Sequence, residues 1–269
     1  MTGPIVVHAG FHKTGTTTVQ ATLRANRTAL LPHLAIWMRP RLRPTVLAAR
    51  GFSTWRDAPS RAKLAIRLTE LTETLPGLKS RGLILSAEEL SGHMPGRPGI
   101  DDYSAVPILM SEIAGALQNR FPLSDLHIVF TTRAAADWLP SSYWEHVKSS
   151  SLTESYEAFA ARLPRAADFA PVVEKTARAV APASVHALPP TSDHPLGHAG
   201  DILRFFDLPA GLELQAVPPA NTRPPQPVLD QLLTINRTVH DPAARRDAKR
   251  ALLSGSPSAL PQNRLGERP

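Results

Sequence analysis

Residues 4–24, PIVVHAGFHKTGTTTVQATLR, constrain this chain more than any other stretch, because they pass from one structural period to another within a single short turn. Residues 4–8 are an apolar run rich in β-branched side chains, the pattern of a buried strand. A glycine-containing turn follows, and Val19 and Leu23 then fall on one face of a helix. The result is a strand, a loop and a helix. The loop carries Lys13, Gly15 and three successive threonines, Thr16, Thr17 and Thr18. A helix N-terminus has unsatisfied N–H donors and a partial positive charge, so this arrangement is suited to an anion, most often a phosphate.

The order of residues separates the loop from the usual nucleoside triphosphate loop. That pattern, Gly-x-x-x-x-Gly-Lys-Ser/Thr, places its lysine after the second glycine, whereas Lys13 precedes Gly15 here. On these residues alone a threonine-rich helix cap that binds nothing remains an alternative.

The rest of the chain alternates. Short strands are expected within residues 31–38, from Gly82 to Ser86, over 126–133 and over 184–190, and helices over 60–75, 106–121, 137–147, 152–163, 169–180, 202–206, 228–239 and 243–253. Residues 39–44, RPRLRP, contain too many prolines for a helix or central strand and are expected to form an exposed loop near the site. Residues 91–103 and the proline-rich 214–227 read as loops as well. The 27 prolines of the 269 residues are about double the usual share of about 5% and imply many such boundaries. Strands alternating with helices predict an α/β, three-layer fold, a mainly parallel sheet flanked by helices and joined by right-handed crossovers. One domain is expected over 1–253, followed by a disordered tail over 254–269 that shows no periodicity.

Charge narrows the partners. Thirty Lys and Arg against 23 acidic residues give a net charge of +7, which favours anionic ligands. Apart from Arg39 to Arg43 and Arg245 to Arg250, which read as solvated surface, the basic residues are scattered, and aromatic residues make up only 6%, so no stacking platform for nucleic acid is evident. No apolar run reaches the roughly 18–20 residues of a membrane helix. The absence of cysteine and of a signal-like N-terminus leads to the expectation of a cytoplasmic protein.

A second constellation lies in TTRAAADWLPSS. Arg133 closes a strand and Ser141 follows eight residues later, inside the next helix. An arginine offers a planar fork for a phosphate dianion and a serine adds a hydroxyl donor. Taken with Lys-Thr-Gly-Thr-Thr, the pair resembles the sulfotransferases that use 3′-phosphoadenosine 5′-phosphosulfate, in residue type, spacing and order. The resemblance covers about residues 4–150 and is closest to the bacterial and carbohydrate-modifying branch. It implies a P-loop-like fold, a donor 5′ end held by His12, Lys13, Thr14, Gly15, Thr16, Thr17 and Thr18, and a 3′-phosphate held by Arg133 and Ser141. It further implies transfer to a hydroxyl or amine of a carbohydrate or small-molecule acceptor, without a metal and with Lys13 neutralising the leaving phosphate. Two features depart from the family. Ala134, Ala135 and Ala136 stand where Asp-Pro often follows the arginine, and no C-terminal Arg-Lys-Gly-type loop is present.

The acceptor needs a base. Glu88 and Glu89 follow an expected strand end, where ligands bind in open parallel sheets, and Glu88 is the first choice. Glu89, His12 and His93 compete with it. A kinase-like enzyme on a similar sheet, or a sulfotransferase-like protein that binds without turnover, are the alternatives.

Overall fold

The structure is a computed structural model, and it describes residues 3–218 and 225–255. The first half of the chain contains β1 (Ile5–His8), α1 (Thr16–Ala25), the short α2 (Arg27–Leu30), β2 (Leu34–Met38), α3 (Arg39–Trp55), α4 (Ala58–Thr74), β3 (Gly82–Ser86), a 3-10 turn (Glu88–Ser91) and α5 (Val106–Arg120). The second half contains β4 (Leu126–Thr131), α6 (Ala135–Ser149), α7 (Tyr156–Arg162), α8 (Ala170–Val180), β5 (Ser184–Leu188), α9 (His198–Leu203), α10 (Gln226–Thr238) and α11 (Pro242–Leu253).

The five strands form one parallel sheet in the order β2-β3-β1-β4-β5. Side-chain alternation sorts each strand between two cores. Ile5, Val7, Leu83, Leu85, Ile128 and Phe130 pack with α3, α4, α5 and α8 on one face. Val6, Ile84 and Val129 pack on the other with Val19 and Leu23 of α1 and with Ile202 of α9. Both faces are covered, which is why these strands read as continuous apolar runs rather than alternating ones. The α/β class and the flanked parallel sheet are therefore as expected, in a three-layer arrangement consistent with a P-loop-like fold. Among the described residues no helix is long and apolar enough to cross a membrane.

One segment contradicts its sequence. Residues 39–44 are not a loop but the opening turns of α3, with Pro40 near the helix start and Pro44 inside it. Proline is tolerated in a first turn, where the missing N–H has no intrahelical partner to lose. Pro44, just beyond it, carries the larger penalty, about 3 kcal/mol or more in a helix interior. Packing outweighs it, because Leu42, Val46 and Phe52 are all buried and each such side chain contributes about 1.5–3 kcal/mol. Smaller shifts occur elsewhere. β4 stops at Thr131, so Arg133 stands just beyond the strand rather than on it; α6 starts at Ala135, ahead of Asp137; Leu152 precedes α7; and Gln226 and Pro227 belong to α10. The core of the expected 214–227 loop, residues 219–224, and residues 256–269 of the expected tail lie outside the described residues.

Candidate functional site

β1 lies at the centre of the sheet between β3 and β4, and the chain changes direction across it. In such sheets ligands bind at the carboxyl ends of the strands where the order reverses. A cleft of about 970 Å³ opens there, lined by His12, Lys13, Gly15, Thr16, Thr17, Thr18, Glu88, Arg133 and Ser141 among others. Segments that are far apart in sequence are thus brought together by strand order alone. Of the residues expected at the site only Thr14 stays out of the lining. It is buried, its Oγ1 donates to the Phe11 carbonyl at 2.5 Å, and it lies 2.7 Å from Thr131 Oγ1, which joins the loop to β4.

The loop has an unusual backbone. Lys13 has φ 66°, and Gly15, the N-cap of α1, has φ 98°. Glycine adopts that conformation without cost, but a lysine with positive φ stores about 1–3 kcal/mol and persists only where its surroundings enforce it. Two residues from the second constellation do so. Trp138 Nε1 donates to the His12 carbonyl at 2.7 Å, and Arg133 Nη1 donates to the Lys13 carbonyl at 3.2 Å. Thr16, at the first turn of α1, is almost fully buried, and its Oγ1 has no hydrogen-bond partner among the described residues. A buried hydroxyl left without a partner at a helix N-terminus fits a phosphate-type ligand.

The lysine has a partner that the sequence reading did not include. Lys13 Nζ lies 3.1 Å from Glu145 Oε2, and Lys148 Nζ lies 2.7 Å from the same oxygen. Burial alone would raise the Glu145 carboxyl, but Lys148 and Lys13 outweigh it and hold it below the usual range. Glu145 is one helical turn after Ser141 on α6, so the i, i+4 spacing was the available signal.

The two acids after β3 have different surroundings. Glu89 Oε1 pairs with Arg39 Nε at 2.8 Å. Glu88 Oε2 accepts from Gln20 Nε2 of α1 at 3.2 Å, and burial, reinforced by Glu89, raises its carboxyl above the usual range. Such a carboxyl is closer to working pH than an exposed one.

His12 is a poor base. Burial, then His93 and Arg50, lower its pKa to about 3. Its backbone N–H donates to Tyr103 Oη at 3.1 Å, and its Nδ1 lies 3.2 Å from the same oxygen. Burial keeps the Tyr103 phenol protonated. His12 is held neutral by its lowered pKa, so one ring nitrogen carries a hydrogen and the other can accept. His93 is lowered to about 4 by burial, Arg50 and Arg97. Among the other histidines, His8 is fully buried against Ser86 Oγ at 2.9 Å, and His146 Nε2 lies 2.7 Å from the Pro95 carbonyl.

No family model matches this chain, and no curated protein matches it.

Proposed function

We propose that this chain is a sulfotransferase that moves a sulfuryl group from 3′-phosphoadenosine 5′-phosphosulfate to an acceptor hydroxyl or amine. One observation carries the reading: the N-terminus of α1 with Lys13 and the Arg133–Ser141 pair line a single cleft at the central strand's carboxyl end. The cleft volume falls within the range that holds a nucleotide-sized ligand. The donor supplies a sulfuryl group activated by its phosphate leaving group, and transfer resembles phosphoryl transfer, in which position and electrostatics do most of the catalysis.

The chain's own residues divide the work. The N–H groups of α1 and the Thr16 hydroxyl bind the 5′-phosphate, with Lys13 beside the oxygen that becomes charged as the sulfur–oxygen bond breaks. Arg133 and Ser141 bind the 3′-phosphate. Glu88 takes the acceptor's proton while the acceptor atom bonds to sulfur, and Gln20 orients that carboxyl. His12 lines the same end of the cleft beside Lys13.

Calorimetry tests the reading. 3′-Phosphoadenosine 5′-phosphate should bind about tenfold or more tighter than adenosine 5′-phosphate, the value of one charge-assisted contact, and Arg133→Ala should remove the preference. Equal binding of the two nucleotides by the wild-type protein would overturn the assignment.

A further inference from the structure

The half of the cleft formed by α3 and residues 92–100 carries more positive charge than the donor accounts for. Arg39, Arg50 and Arg97 all line it. Arg39 is neutralised by Glu89. Arg50 and Arg97, both half-buried, have no carboxylate within ion-pair distance among the described residues. Arg50 Nε donates to His93 Nδ1 at 3.2 Å, and that imidazole is neutral, so it orients the guanidinium without cancelling its charge. Burial and then Arg97 lower the Arg50 pKa, while Glu89 acts on it only from further away.

The pair is held in place by its backbone. Ser53 Oγ donates to the Arg50 carbonyl at 2.8 Å and accepts the His93 backbone N–H at 2.9 Å, which ties α3 to the loop. Gly96 N–H donates to the Ile100 carbonyl at 2.8 Å, and Ile100 N–H returns to the Arg97 carbonyl at 3.0 Å, closing a tight turn around Arg97. Gly96 has φ 107°, and a Cβ there would lie 2.7 Å from His146 Nε2, so only glycine fits. Two like charges that share one wall of a cleft and act on each other at partial burial are unfavourable in the protein alone and become favourable around an oxyanion.

We propose that Arg50 and Arg97 form a second oxyanion subsite that binds a carboxylate or sulfate-type group of the acceptor. The enzyme therefore takes acidic acceptors in preference to neutral ones. This rests on the donor reading above, since Lys13, the α1 N-terminus, Arg133 and Ser141 already serve the donor's phosphates.

Inorganic sulfate is the probe, titrated by calorimetry into the full chain at low ionic strength, with and without saturating 3′-phosphoadenosine 5′-phosphate. Wild-type protein should still bind sulfate beside the nucleotide. Arg50→Gln and Arg97→Gln should each weaken that sulfate about tenfold, with nucleotide affinity changed less than about twofold and Arg50→Lys retaining part of the binding. Relief of repulsion should leave Arg97→Gln melting no lower than wild type, whereas a merely structural arginine would lower it. In transfer assays a uronic acid acceptor should be used in preference to its methyl ester, and the glutamine variants should lose that preference. The subsite is overturned if nucleotide displaces all sulfate from the wild-type protein, if the variants lose nucleotide as much as sulfate, or if sulfate binding beside the nucleotide is unchanged in them. Should the nucleotide not bind at all, the donor reading falls by itself; the sulfate stoichiometry without nucleotide then decides, because Arg50→Gln/Arg97→Gln should lower it by one.

Discussion

Lys13 of the β1–α1 loop and Glu145 of α6 form an ion pair, Nζ to Oε2 at 3.1 Å, across a sequence separation of 132 residues. The carboxylate occupies the lysine at the point where the proposed donor phosphate would bind.

Glu145 and the nucleotide therefore compete for one ammonium group. Glu145→Gln should tighten 3′-phosphoadenosine 5′-phosphate by up to about tenfold, the scale of one charge-assisted contact. Calorimetry checks this directly. Weaker binding in the variant would show instead that Glu145 holds Lys13 in the orientation the nucleotide needs.

Glu88 makes a prediction about pH. Its carboxyl is raised above the ordinary range by burial and by Glu89. A group whose pKa rises on folding contributes stability that is complete below the ordinary carboxylate pKa and is lost as pH rises through the folded value. Glu88→Gln does not titrate, so its melting temperature should gain on wild type as pH rises above the ordinary carboxylate range. As the proposed base, Glu88 should also lose about a hundredfold to ten-thousandfold in turnover on conversion to Gln. A melting difference that stays constant with pH would show that the carboxyl is not perturbed.

Lys249 of α11 caps the end of α6. It is buried, and its Nζ donates to the carbonyls of Val147 at 2.6 Å, Lys148 at 3.3 Å and Ser150 at 2.6 Å. Burial and then Arg245 lower its pKa to about 8, so it is still charged at neutral pH. Lys249→Met would keep most of the stem and remove the donors; the Val147 carbonyl keeps Asn236 Nδ2 at 3.0 Å, so the Lys148 and Ser150 carbonyls are the ones left without this partner, at about 1–3 kcal/mol each. Denaturant unfolding should show a loss of about 2–4 kcal/mol in all. A change below about 0.5 kcal/mol would mean that solvent satisfies those carbonyls.

How far the chain could be read from its residues depended on the range of the interactions involved. The strands and most helices were legible because a strand buried on both faces is a short apolar run and a packed helix has an apolar stripe. Lys13, Arg133 and Ser141 were legible through spacing, a local property. The start of α3 was not, since the prolines at 40 and 44 argue locally against a helix and only the burial of Leu42 and Val46 reverses that. Arg50 and Arg97 were out of reach for a related reason. They share one wall of the cleft because Ser53 joins α3 to a loop about forty residues later, and no local period records such a link. Glu145 is the intermediate case, visible as the residue one turn beyond Ser141 but without a sign of its partner.

The central position of β1 has a mechanical consequence. Its four residues are bonded on one side to β3 and on the other to β4, strands contributed by the two halves of the chain. Separating either half exposes this strand, and no smaller opening does. Its amides are therefore expected to be among the slowest of the described residues to exchange hydrogen with solvent. The β1–α1 loop thus grows out of the strand that is tied on both sides, while Glu88 and Glu89 face it from a 3-10 turn and Arg50 and Glu145 from within α3 and α6.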